Sequence, residues 1–388
     1  MKRITLVLTL ALLAASLAGA QTAALSPLSA KDPRSMALGG AFTALSSGYS
    51  ALSGNPAGFA AAKAELTVAD FSSWLYVKPT QANLEKAARL ASGGADDAEI
   101  LSSMNDLITE NGFGGGLSFG AGYVGKGLGL GMYLVGDSSV KGETAMGAVM
   151  TSSASLNAVL GLGAPIRIGG LTVSIGGDVR PFFRAESADG GWAFGGIMSG
   201  LMSGGDVGAV FLGESVESGF GLAMDFGASV ELGSLAVGLS IRDVAPSFIV
   251  SEMTVEELLA ELGAGRFPRA SASSQSVLVL PSVTAGLAWK PRLVRGLVEP
   301  ALYFEVQDPV SVIRDRESFW NLLHVGAEVE LLSFFSLRAG LNKGWPSAGF
   351  GLDLAFLSLD AAVFTEELGR RPGDLPRSGA TISAAIRF

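Results

Sequence analysis

The chain holds one histidine and no cysteine among its 388 residues, which narrows what its side chains can do chemically. A hydrolytic triad needs a base held by a third group, and a metal centre needs several clustered ligands, so His324 alone supplies neither. On the alternating segment from Leu322 to Leu331, His324 shares a face with Gly326, Glu328 and Glu330, where a hydrogen-bonding role on an inner surface is expected. Gly136-Asp137-Ser138-Ser139 has the composition of an esterase nucleophile block, but no base accompanies it and its residue types read as a turn. Glycine runs at 112–116 and 127–131 lack the following helix with Lys-Ser/Thr that a phosphate cradle needs. The reading is a non-enzyme with no catalytic, cofactor-binding or metal residues. What remains is a set of charges at every second position, among them Asp178, Arg180, Arg184, Asp225, Arg242, Glu305, Glu328 and Arg338. Both signs occur, so most should pair across strands. Arg184 and Arg242, placed near the external ends of their strands, are the candidates for the carboxylate head of an amphipathic ligand.

The elements that must position these residues are strands. From Phe220 to Leu232 one face reads Phe220, Leu222, Met224, Phe226, Ala228, Val230 and Leu232, and the other Gly221, Ala223, Asp225, Gly227, Ser229 and Glu231, a period of two with one apolar face. Fourteen such segments occur between residues 64 and 388, and their links alternate between short and mostly long. That is the pattern of an all-β transmembrane antiparallel barrel with short periplasmic turns and long external loops, which places both termini in the periplasm. Mean hydropathy is positive, yet after the N-terminus no apolar run approaches the roughly 20 residues of a spanning helix. Among the long loops, Thr254-Val255-Glu256-Glu257 has capping-box spacing before a helix, and apolar residues recur at helical spacing in 83–90 and 98–108. The loop from Gly190 to Phe211 carries Trp192, Phe194, Ile197, Met198, Leu201 and Met202. It reads either as an apolar capture loop or as a loop that folds back over the barrel mouth or packs against a neighbour.

Residues 1–20 combine Lys2 and Arg3, an apolar core and Ala18-Gly19-Ala20, the pattern of a secretory signal cleaved after Ala20. Without cysteine there is no lipid-attachment site, disulfide or thiolate metal site. The formal net charge of −9 argues against nucleic acid as a partner. Residues 21–63 precede the first strand and are small and apolar, closing with Asn55, Pro56, Ala57, Gly58 and Phe59. Asn before Pro marks a turn, and Gly58 would allow a left-handed bend. Such a kinked, largely uncharged segment suits the inside of something hollow, and residues 21–63 are read as a hatch within a barrel of residues 64–388.

Two motifs add a family reading: Arg34-Ser35-Met36-Ala37-Leu38-Gly39-Gly40-Ala41-Phe42 followed by Asn55-Pro56-Ala57-Gly58-Phe59, and Thr365-Glu366-Glu367-Leu368-Gly369. On these the chain resembles the FadL-type outer-membrane transporter superfamily and its PorV/PorQ-like and UPF0164 relatives. The resemblance implies an N-terminal hatch plugging a fourteen-stranded barrel in the outer membrane of a diderm bacterium, among outer-membrane lipids. It also implies passive uptake of a hydrophobic compound such as a long-chain fatty acid. The alternative within the same resemblance is a PorV-like barrel that does not transport but docks secreted proteins or scaffolds an envelope complex.

Overall fold

A computed structural model describes residues 24–25, 28–92, 96–204, 206–268, 275–279, 281–291 and 297–388. The expected signal segment 1–20 lies outside the described residues. Fourteen long antiparallel strands close into one barrel. They are β1 (Glu65–Tyr76), β2 (Phe113–Gly125), β3 (Leu128–Lys141), β4 (Val149–Ile168), β5 (Leu171–Ser187), β6 (Ser215–Leu232) and β7 (Leu235–Thr254). The second half comprises β8 (Ser282–Trp289), β9 (Val298–Gln307), β10 (Leu323–Leu331), β11 (Phe335–Asn342), β12 (Trp345–Leu354), β13 (Leu357–Glu367) and β14 (Pro376–Arg387). Closure comes from β14 pairing with β1, from Ala380 opposite Leu75 to Arg387 opposite Thr67. The ring removes the unpaired strand edges that an open sheet would expose. Phe388 completes it by exchanging two backbone hydrogen bonds of 2.9 Å with Leu66.

The period-two pattern sorts the side chains. On β6, Phe220, Leu222, Met224 and Phe226 face outward and are exposed, whereas Ala223 and Asp225 face the lumen at 0% exposure. The same outward apolar band continues through Phe71, Phe119, Leu302, Phe304, Leu337 and Phe350. With its strands paired around a closed ring, such a wall suits the demand of a bilayer for internally satisfied backbone polar groups. Among the described residues no helix is long and apolar enough to cross a membrane.

The largest irregularity of the described wall lies at β7 and β8. The sequence pattern read one strand over 276–290; the structure divides it into a segment Gln275–Val279 and β8, on either side of Pro281. Opposite this break β7 pairs with β8 up to Arg242 and with Gln275–Val279 from Ser247, and among the described residues Asp243 to Pro246 have no ladder partner on that side. On its other side β7 bulges twice against β6, between Leu222 and Phe226. Asp243 has a φ of 55° there. Pro246 and Pro281 each remove a donor, which is the local reason the ladder yields. On β5, Pro181 interrupts the pairing with β4 between Asn157 and Leu160 in the same way.

Gly136-Asp137-Ser138-Ser139 is not a turn but the upper part of β3, where Asp137 Oδ1 accepts hydrogen bonds from Trp74 Nε1 at 2.6 Å and Tyr76 OH at 2.7 Å. The longest loops carry helices. They hold α2 (Gln81–Ala91) and α3 (Asp97–Asn111), then α4 (Phe194–Met202) and α5 (Val207–Leu212), then α6 (Val255–Gly263), whose capping box between Thr254 and Glu257 is formed. Glu110 on α3 accepts from the Asn83 amide and pairs with Lys78, and these contacts lower its pKa. Their stabilisation is therefore full above the ordinary carboxylate range and is lost as pH falls through the lowered value. Topology has a direct test in a chain without cysteine. Cysteines at Glu143 and Ala264, both exposed on the external side, should react with an impermeant thiol reagent on intact cells, whereas Lys126→Cys and Arg167→Cys should not. The opposite pattern would invert the barrel.

Candidate functional site

Residues 28–62 run inside the barrel and touch wall strands all around it. The segment begins with α1 (Pro33–Ala37), whose N-cap Asp32 accepts from Ser35 N at 2.9 Å, and continues as three short 3-10 turns. A backbone laid against a strand needs the strand to have no side chain there, and the wall supplies glycine at each seat. A Cβ on Gly176 or Gly227 would strike the Asn55–Ala57 turn, one on Gly129, Gly161 or Gly163 would strike Phe59, one on Gly326 or Gly340 would strike Leu38, and one on Gly238 would strike Ala44. Inner-face glycines of these strands thus form a cast of the segment. Phe59, Leu38, Leu52 and Ala51 are consequently buried to within 1%.

The closing turn follows its residue types. Asn55 caps the 3-10 turn Pro56–Ala60, its Oδ1 accepting from Ala57 N at 3.0 Å, while Nδ2 donates to Thr43 O at 3.2 Å and to Ala228 O on β6 at 3.3 Å. Gly58 is not left-handed, contrary to the sequence expectation. It is required because a Cβ would press on Ala51 Cβ and Ser46 O, each at 2.7 Å. The left-handed positions of the segment are Gly39, Gly40 and Gly48, at φ 66°, 89° and 59°. A methyl at Gly39 would run into the Leu341 carbonyl on β11. Gly39→Ala should therefore cost at least about 1–2 kcal/mol of seating, from backbone strain alone. The expected result is faster proteolytic cleavage within 28–62, with the unfolding midpoint of the barrel unchanged.

Polar ties hold the segment at its upper end as well. Lys31 pairs with Glu366 at 2.7 Å, Glu366 also pairs with Arg377 at 2.6 Å, and Thr381 Oγ1 donates to Lys31 O at 2.6 Å. Glu367, the next residue of the same motif, shapes the β13–β14 loop by accepting from the backbone N–H of Gly369, Gly373 and Leu375. The 365–369 motif thus fastens the luminal segment with one carboxylate and builds a loop with the other.

Above the lower turns a cavity of about 430 Å³ remains. Its lining mixes polar and apolar surface and carries both candidate head-group residues, but the structure distinguishes them. Arg184, near the upper end of β5, is buried and pairs with Glu186 at 2.9 Å. Arg242 is not near the external end of its strand, because β7 continues to Thr254 and Arg242 is only its eighth residue. It bonds Asp225 at 3.1 Å and reaches Gly54 O of the luminal segment at 3.4 Å. Beside Arg242 lies Arg180, which the sequence places among the inward charges but not among the head-group candidates. Its guanidinium donates to Asp225 Oδ2 at 3.0 Å, to Asn157 Oδ1 at 2.8 Å and to Asp243. Asp225 Oδ1 in turn accepts from Asp243 N at 2.8 Å. One buried ion cluster therefore holds the bulged stretch of β7, the neighbouring wall and Gly54 together. Only the register shift on β7 brings Asp243 inward, and alternation alone gives no sign of it.

The candidate capture residues are mostly folded away. Phe194 and Met198 pack with Ile108, Val140, Ala145 and Ala148, with Met202 partly buried against them. Trp192 and Ile197 pack with Phe183, Val216 and Leu258, and Trp192 Nε1 donates to Ser215 O at 2.7 Å. Leu201 belongs to α4. In the structure this loop packs against its neighbours, joining four loops into a shared apolar layer.

No protein-family model matches the chain, and no curated protein matches it. Solved structures overlap with it along nearly its whole length. The toluene transporter TodX of Pseudomonas putida superposes with a TM-score of 0.46 at 12% identity over 94% of this chain and 99% of TodX. A TodX deltaS2S3 mutant, described as a monoaromatic hydrocarbon channel, gives 0.47 at 12% identity over 92% and 97%. Outer membrane phospholipase A of Escherichia coli gives 0.28 at 10% identity over 82% and 89%. Likeness at this level says nothing about cargo, which has to be inferred from this chain's own residues.

Proposed function

We propose that the protein is an outer-membrane channel for hydrophobic compounds, in which residues 21–63 act as a hatch and the compound moves by diffusion. The observation that carries this reading is the combination of a lower lumen filled by a segment seated on wall glycines and an open cavity above it beside an interrupted wall. A cavity of about 430 Å³ is within the range of small-molecule sites. In this reading a compound enters past the apolar external layer, rests above the hatch, and leaves either when the hatch shifts or sideways where Asp243 to Pro246 form no ladder with β8. A long-chain fatty acid is the finer proposal, with its carboxylate directed to Arg184 at the upper rim and Arg242 held in reserve by its pairing with Asp225. Proteoliposomes test it: uptake of hexadecanoate and of dodecane should exceed that of protein-free vesicles, and Arg184→Gln should weaken uptake of the acid alone. Equal uptake with and without protein would overturn the reading.

The second reading, a docking barrel for a secreted or envelope protein, is favoured by one external loop. α7 (Pro309–Arg314) and the turn after it leave Val310, Ile313, Phe319 and Trp320 exposed, Ile313 at 78%. Phe319 and Trp320 precede β10 directly and suit the aromatic girdle at the outer interface. Val310 and Ile313 are the part that a protein would cover.

A further inference from the structure

We infer that a compound held in the upper cavity leaves through a second cavity at the periplasmic end, and that the hatch opens for it at Ala41–Leu45. The inference rests on the transport reading and specifies its exit. The second cavity, of about 380 Å³, lies at the foot of β6 to β10. Its inner part is apolar, where Ala236, Ala288 and Ala301 of the wall pack with Ala44 and Leu45 of the hatch. Its rim is charged, with Glu231 and Lys290 exposed beside the short turn at Gly233.

The two cavities come within one inward position of each other. On β9, Glu305 lines the upper cavity and Tyr303, the next inward residue, lines the lower one, about 7 Å away along the strand. On β7 and β8 the corresponding pairs are Ser240 with Ala236 and Thr284 with Ala288, and the inward residue between each pair is Gly238 or Gly286, which face each other in the ladder. The hatch fills that gap with a single stretch of backbone. A Cβ on Gly238 would lie 2.7 Å from Ala44 Cα, and one on Gly286 would lie 3.2 Å from Ala44 N. Across the lumen the hatch is thicker, with Leu52 and Phe59 pressed on glycines of β2, β3 and β4. That half is bonded to the turn between β2 and β3, where Gly127 N donates to Phe59 O at 2.9 Å and Lys126 N to Ala61 O at 2.7 Å. Among the described residues Ala41–Leu45 exchanges no backbone-to-backbone hydrogen bond with the wall. Its tie is to one carboxylate, Thr43 N donating to Glu305 Oε2 at 2.7 Å. The flanks are fixed: Gly39 O lies 2.6 Å from His324 Nδ1, Gly40 O accepts from Gln307 Nε2 at 3.0 Å, and Ser46 Oγ accepts from Asn55 N at 3.2 Å. The stretch can therefore swing about the left-handed pair Gly39-Gly40 without breaking any strand ladder.

Closing the lower cavity after folding tests this without disturbing assembly. Glu231→Cys is labelled with fluorescein maleimide in detergent, so that every copy carries the dye whatever its orientation, and is then reconstituted. Uptake of dodecane into these vesicles should be roughly tenfold slower than with the same variant unlabelled, because passage through a gate sets the rate. The same dye at Arg167→Cys, at the periplasmic end of β4 and outside that cavity, should change nothing. Hydrogen exchange of the unmodified protein gives a second readout: amides of 41–45 should exchange roughly tenfold faster than those of 55–61, as segments of lower local stability do. Undiminished uptake with the dye at residue 231, or exchange at 41–45 no faster than at 55–61, would overturn the inference. If uptake persists past the dye, the exit fails alone and a path through the wall carries the compound; if unlabelled protein gives no more uptake than protein-free vesicles, the transport reading fails and the exit with it.

Discussion

Ala57→Trp is expected to unseat the luminal segment while the barrel still assembles. Ala57 is 2% exposed, and the turn containing it is enclosed by Gly176 of β5 and Gly227 of β6, whose missing side chains are the only reason the turn fits. A tryptophan has no room on either side. Overpacking of this kind costs about 1–3 kcal/mol or more, which corresponds to roughly a 5- to 150-fold rise in the unseated population. The wall should survive, because its ladder bonds do not involve the segment. Vesicles with the variant should leak small solutes faster by a factor in that range, and uptake of hydrophobic compounds should change with it. Unchanged leakage and uptake in correctly folded protein would show that the segment does not gate the barrel and would favour docking. The same geometry predicts that Gly227→Ser is not a mild inner-face change, since the new Cβ would collide with the Asn55 side chain.

The second large effect is expected at Arg180. Its guanidinium is 8% exposed and serves Asp225, Asp243 and Asn157 together, and Asp225 is fully buried. Arg180→Met would leave Asp225 with Arg242 alone and Asp243 without its guanidinium partner. Removing one member of a buried ionic cluster costs about 3–5 kcal/mol, because the charges left behind are no longer compensated. Urea unfolding in lipid vesicles should register a loss of that order. Arg180→Met combined with Asp243→Asn should recover part of it, since the two act through one contact. Additive losses would mean that the cluster does not hold the bulged stretch of β7. If the interrupted wall is an exit, the single variant should also speed release of a loaded hydrophobic probe, because Asp243 ties the unpaired stretch inward.

The strand pattern was legible because its cause is local. A residue on β6 faces lipid or lumen by the parity of its position, so Phe220 to Leu232 announced both faces, and the strand count followed from repeating the observation. The capping box at Thr254 and the turn at Asn55-Pro56 were legible for the same reason, since each depends on residues within a few positions. The luminal site was decided elsewhere. Gly176 and Gly227 are seats for Asn55–Ala57 only once the chain has folded back across more than a hundred residues, and nothing near either glycine in sequence says so. Arg180 became the centre of the ion cluster because two bulges turned Asp243 inward, an effect of proline and strand pairing that alternation cannot show. The apolar loop at 192–202 fell the same way: its composition allowed either an open groove or a packed layer, and burial against α3 and β3 decided for packing. Residue type and spacing fix which groups point inward, whereas which of them meet depends on register and closure, which arise only when all fourteen strands are in place.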